Sequence, residues 1–150
     1  MGVQQVADLQ ERLDQIYAAL IALGMLPSLE QRLYPANSGV ATITGGAANL
    51  YGAWQEILSA AQMTQQMYLV GFEGEFDAAD IYTVEIGVGA IASEVGICEF
   101  GWEPQNADET AKLDCWPQLL ESGVRVAARL KTTGGGNKTI SNSKIIVRHL

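Results

Sequence analysis

Few residues in this sequence are equipped for chemistry. His149 is the single histidine, so a Ser-His-Asp or Cys-His mechanism would have to run through it. It closes an alternating apolar run, a place suited to a surface or subunit contact. Cys98 and Cys115 stand 17 positions apart and match no zinc-ligand spacing. Two reduced, half-buried thiols are expected, with one disulfide as the alternative. Glu73, Glu75, Asp77 and Asp80 lie close together and could ligate Ca²⁺ through oxygen. They lack the spacing of an EF-hand, and a solvated acidic loop is the expectation.

Three glycine- or tryptophan-bearing stretches also bear on ligands. Gly87-Val88-Gly89-Ala90-Ile91-Ala92 fits G-x-G-x-x-A. A dinucleotide site needs those glycines between a strand and a helix, but Glu94–Phe100 alternates as a strand, so a turn is expected. Gly134-Gly135-Gly136-Asn137-Lys138-Thr139 ends like a P-loop, yet Asn137 and Thr132 stand where that motif needs glycine. Asn137-Lys138-Thr139 is also a glycosylation sequon, which matters only on a secreted eukaryotic chain. Aromatic faces pack on sugars, and Trp102 in the loop Gly101–Thr110 is the expected exposed candidate. Trp54 and Trp116 lie in strand candidates and are expected in the core. No cofactor and no metal site are implied.

Composition narrows the class further. The chain has 150 residues, 48% apolar and 17% charged, with 16 glycines. One domain with a short appendage is the natural organisation, and the apolar content is too high for disorder. The formal charge of −8 lacks the basic footprint of a nucleic-acid binder. The longest apolar run, Tyr17–Met25, is far short of the ~20 residues that cross a bilayer. Neither a nucleic-acid nor a membrane partner is expected, and the start of the chain lacks the pattern of a signal peptide.

The charge is segregated. Residues 73–121 hold twelve acids and one base, Lys112, whereas residues 122–150 hold six bases and no acid. Arg125, Arg129 and Lys131 fall on one face of a strand candidate, and Lys144 and Arg148 on one face of another. A hairpin through Gly134–Gly136 would set these five cations side by side. Acidic strands of the same chain, or an acidic surface on a neighbouring subunit, must then lie opposite them.

Two textures position these residues. Val6, Leu13 and Leu20 occupy heptad a positions and Leu9, Ile16 and Leu23 occupy d, with polar residues between. This pattern predicts a helix, stopped by Gly24 and Pro27. Its apolar seam suits either packing on its own domain or a small homo-oligomeric coiled coil. Ser28–Gln31 resembles a capping box, predicting a short helix over about 29–34. From Gly39 the spacing changes to short alternating runs. Strands are predicted near 40–44, 53–58, 67–73, 80–88, 94–100, 113–116, 124–131 and 144–149. The clearest alternation sets Tyr82, Val84, Ile86 and Val88 against Thr83, Glu85 and Gly87. The fold class is therefore mainly β, an antiparallel, jelly-roll-like sandwich of about eight strands at 39–150, preceded by a helical arm at 1–38.

Three stretches taken together resemble a known family. They are Gly52–Leu58 (GAWQEIL), Tyr82–Ala90 (YTVEIGVGA) followed by Ser93-Glu94-Val95, and Gly123–Leu130 (GVRVAARL). In this order, over about residues 49–150, they are similar to small β-sandwich virion proteins of tailed bacteriophages. Those proteins serve as capsid decoration or cement proteins, head fibres and tail-associated modules. The resemblance implies a place in the virion, a non-enzymatic assembly role and contact with other virion proteins, the major capsid protein foremost. It also implies that the Val6–Leu23 helix trimerises or anchors the protein. A tail-associated module that grips a host sugar is the alternative. The resemblance transfers no catalytic residue.

Overall fold

The computed structural model describes residues 2–22, 31–35 and 41–149, and the chain divides into two compact units, 1–30 and 31–150. The first contains one helix, α1 (Val3–Ala22). No residue within it is Gly or Pro, and Ala, Leu, Gln and Glu carry high helix propensity. The Gln5 side chain accepts from the Gly2 amide at 3.0 Å. Along the polar side, Gln4 donates to Asp8, Gln10 to Asp14 and Gln15 to Glu11, each four residues apart. Leu23, Gly24 and Pro27, the expected end of the seam and its stop signals, lie outside the described residues.

The second unit is built from nine strands: β1 (Gln31–Tyr34), β2 (Ala41–Thr44), β3 (Gln55–Leu58), β4 (Met67–Phe76), β5 (Tyr82–Val88), β6 (Val95–Trp102), β7 (Glu109–Leu120), β8 (Val126–Thr132) and β9 (Thr139–His149). They form two antiparallel sheets. One runs β1-β9-β4-β7 with β2 also on β9, and the other runs β3-β8-β5-β6. The pairs nest: β2 with β9, β3 with β8, β4 with β7, β5 with β6. Successive pairs alternate between the sheets, which is the topology of a jelly roll. The protein is thus a mainly β sandwich with an N-terminal helix, and all eight strand candidates are present.

Alternation builds the core. Tyr82, Val84 and Ile86 are buried on β5, facing Met67, Leu69, Phe72 and Phe76 of β4 across the sandwich. Leu69 and Phe72 both face inward although their spacing is odd. A bulge between Leu69 and Gly71 resets the parity of β4.

Two expectations are corrected here. The short helix over 29–34 is replaced, in its described part, by β1, whose Gln31–Tyr34 pair with Ile145–Arg148. The edge of β9 offers unpaired amides and carbonyls, and Tyr34 packs on the core, so tertiary pairing overrides the local capping signal. Sandwich pairing thereby begins at Gln31, ahead of the border at 38/39. Gly134–Gly136 is not a hairpin tip, because β8 and β9 belong to different sheets. The segment carries the chain from one sheet to the other, with Gly135 and Gly136 at φ of 65° and 82°, a conformation that glycine adopts without strain.

Candidate functional site

The helix presents its seam to solvent. Val6, Leu9, Leu13 and Ile16 are 49–57% exposed, and Leu20 is half-buried. Heptad spacing places them on one stripe of α1. Burying such a side chain is worth about 1.5–3 kcal/mol, so a row of four is a strong incentive to association. Leu23 continues the pattern outside the described residues.

The cations expected as one cluster are divided between the two sheets. Arg125 precedes β8, and Arg129 and Lys131 lie on it, whereas Lys144 and Arg148 lie on β9. On the outer face of the four-stranded sheet, the register sets Arg129 beside Glu85, and Glu85 beside Glu99. Arg129 forms an ion pair with Glu85. Its guanidinium sits 4.3 Å from the centroid of the Tyr51 ring and 4.4 Å from that of Trp54. Lys131 adds its ammonium 4.7 Å from the Tyr51 ring. Tyr51 donates its hydroxyl proton to Glu99, and burial together with that carboxylate pushes the phenol up. A Cβ on Gly87 would lie 2.5 Å from Cη2 of Trp54, so the glycine allows the indole to lie on the sheet.

Arg125 is the most deeply placed of these cations, with a side chain only 11% exposed. It donates to Glu56 at 2.8 Å and to Glu94 at 2.7 Å. Burial opposes the charge on Arg125, but the two carboxylates outweigh it and raise the guanidinium further. Lys144 faces Glu73 across β9 and β4 at 3.9 Å. Arg148 is exposed in register with Tyr68 and Gln31. Acidic and basic strands are therefore neighbours within one chain. Sequence reasoning missed Glu56, Glu94 and Glu99 as partners, although the acid-rich stretch 73–121 pointed toward two of them.

Of the four clustered acids, Glu73 and Glu75 lie on β4 and only Asp77 and Asp80 in the turn, where Asp77 is exposed and both make hydrogen bonds. Asp77 accepts from the Thr139 amide at 2.8 Å, from the Thr139 hydroxyl at 3.0 Å and from the Tyr82 hydroxyl at 2.7 Å. Asp80 binds Lys138, Thr133 and the Gly134 and Ile81 amides. Burial alone would raise Asp80, but these donors outweigh it and hold the carboxyl well below the usual range. Glu75 accepts from Asn142 at 2.9 Å. These acids pin the β4–β5 turn to the β8–β9 crossover. Among the described residues, no group of three or more His, Cys, Asp or Glu is placed to hold a metal ion.

The remaining candidates also find their places. His149 lies between Tyr34, whose hydroxyl is 3.1 Å from Nε2, and the Gln65 amide at Nδ1. Gly87–Ala92 runs from β5 into the β5–β6 turn, with the Ser93 amide donating to Ala90 at 3.0 Å, and no helix follows it. The tryptophans exchange roles. Trp102 sits at the end of β6, half-buried against the core, while Trp116 on β7 is 63% exposed. On β7, Ala111, Leu113 and Cys115 face the core, so alternation alone turns Trp116 outward. Both cysteines are free and half-buried.

No protein-family profile matches this sequence, and a search of curated proteins finds no match either. Among solved structures, the chain is similar to an Eiger TNF from S. frugiperda. The identity is 10% and the TM-score 0.46, over 81% of this chain and 92% of that one.

Proposed function

We propose that this protein is a non-enzymatic structural component of a bacteriophage particle, a capsid cement or head-fibre protein that trimerises through its helix. The observation that carries the assembly role is the row Val6, Leu9, Leu13 and Ile16, each about half exposed on one stripe of α1. A single short helix with such a seam is marginal in water and is stabilised by a copy of itself. The sandwich contributes the complementary property. Its charges answer one another internally, as Arg125 does with Glu56 and Glu94, so it is built as a stable body for a neighbour to hold. The virion and the major capsid protein enter this reading through the three stretches quoted above.

Under the host-sugar alternative the exposed aromatic would be Trp116 on β7 rather than Trp102, which packs against the core. Sedimentation equilibrium of the full chain tests the assembly role, with a trimer expected at micromolar concentration and a monomer rejecting it. Imaging of whole particles with a labelled chain tests the location. Signal confined to the tail tip would reject the capsid assignment.

A further inference from the structure

Cys98 and Cys115 are used by nothing described so far. β6 and β7 end their respective sheets and are joined by the segment 103–108, so the two edges stack on the same side of the sandwich. Cys98 pairs in register with Ile86, a core residue of β5. Cys115 lies two residues beyond Leu113, which pairs with Phe72 of β4. The ring centroids of Phe72 and Phe100 are 5.9 Å apart, which brings the two sheets together beside these positions. Both cysteines pack on the same core, and along the two edge strands Phe100 and Cys98 of β6 succeed one another on the inner face as Leu113 and Cys115 do on β7. Cys115 also lies 3.8 Å from the Leu69 carbonyl, to which its thiol donates. Outside, an open cleft of about 260 Å³ is lined by Glu85, Gly96, Ile97, Cys98 and Glu99. That cleft lies on the outer face, opposite the inward side of β6, but Cys98 is itself only partly buried, so solvent reaches it at this edge.

We propose that Cys98 and Cys115 form a redox pair that closes into an inter-sheet disulfide, clasping the sandwich along its β6–β7 side. The oxidant is a small-molecule disulfide such as glutathione disulfide. The Cys98 thiol loses its proton to solvent, and the thiolate attacks one sulfur of the oxidant. A mixed disulfide forms and one thiolate leaves, taking up a proton. The Cys115 thiol then loses its proton to solvent and attacks the Cys98 sulfur, the protein disulfide forms, and the second small thiolate leaves and takes up a proton. Two protein thiols are oxidised and one small disulfide is reduced to two thiols, so atoms and electrons balance. Burial and the contact between the two sulfurs push Cys115 up to about 12, and burial raises Cys98 as well. Closure is therefore slow near neutrality and accelerates as the pH rises, because the thiolate is the nucleophile.

The test uses the folded full chain with glutathione disulfide at pH 8.5. Both thiols should be lost together. The product should be two hydrogens lighter and should run as a single chain on a non-reducing denaturing gel. Its thermal midpoint should rise by roughly 5–10 °C, and dithiothreitol should reverse all three changes. Cys115→Ser should arrest the reaction as a glutathione adduct on Cys98, while Cys98→Ser should leave Cys115 largely unmodified. If serine at 115 unfolds the protein, Cys115→Ala replaces it. Adducts on the native chain without an internal bond, bonds between chains, or closure only in denaturant would each overturn the proposal. Equal modification of Cys115 in Cys98→Ser would overturn Cys98 as the thiol that reacts first.

Discussion

Leu13 and Leu69 are the same side chain in opposite circumstances. Leu69 on β4 is completely buried, while Leu13 on α1 is 51% exposed. The difference lies in what each element has opposite it. A strand of the jelly roll faces a second sheet of the same chain, so its apolar row is covered as the sandwich closes. The helix carries an apolar row of similar composition at heptad spacing, and that row remains at the surface of a single chain. Charge follows the same division. Arg125, nearly buried at the β unit, has two carboxylates within 2.8 Å, whereas Gln4, Gln10 and Gln15 of α1 bond to acids of the same helix. The β unit covers its own apolar rows, whereas in the proposed assembly copies of the helix would cover one another's.

The largest effect should come from the helix. Leu13→Asp combined with Leu20→Asp would place carboxylates in the seam, at a cost of several kcal/mol per unpaired buried ion. Sedimentation should show monomers while the thermal transition of the sandwich is retained. Retained trimers would erase the contrast between the two regions. Next come the core positions. Leu69→Ala and Ile86→Ala should each cost about 2–5 kcal/mol by denaturant titration, with the oligomer unchanged under native conditions.

A smaller loss is expected from Arg125→Glu, which sets a third carboxylate beside Glu56 and Glu94. Its thermal midpoint should fall further than that of Arg148→Glu, whose site is exposed, and sedimentation should match the native chain. A stable Arg125→Glu protein that detaches from its particle would instead make Arg125 a subunit contact. The smallest effect concerns acid. The Asp80 carboxyl is held below its ordinary value, so its contribution is complete above about pH 5, where the unfolded carboxyl is also ionised. The contribution is lost as the pH falls through the unfolded value toward the folded one. Thermal midpoints between pH 7 and pH 3 should decline less steeply for Asp80→Asn than for the native chain.

What could be read from the sequence was local. Tyr82, Val84 and Ile86 alternate on a strand whose buried face is evident from residue type alone, and the Val6–Leu20 spacing specifies a helix. The eight strand candidates and the sandwich class follow from the same kind of signal. What escaped depends on partners distant in the chain. Gln31–Tyr34 carry a local helix-start signal and become a strand because β9, more than a hundred residues later, offers them an edge. Gly134–Gly136 have the composition of a hairpin, and only the strand order shows that they cross between sheets. Trp102, expected in an exposed loop, ends β6 and packs on core residues drawn from other strands, which no local pattern shows. Arg125 finds Glu94 and Glu56 at sequence separations of 31 and 69, beyond the reach of any periodicity.

The nesting of the strands also sets an order in time. The β5–β6 pair closes a short connection, whereas β4–β7, β3–β8 and β2–β9 enclose progressively longer stretches of chain. Closing a long loop costs more chain entropy than closing a short one, and contacts distant in sequence form slowly. During synthesis β4 emerges early, yet it must wait for β7 on one edge and β9 on the other. β9 completes the sheet for β1, β2 and β4 together. The growing polypeptide therefore holds β1 and β2 without a strand partner, and one edge of β4 open, until β9 leaves the ribosome, and pulse-labelled amide exchange should find protection in β5 and β6 before β2 and β9.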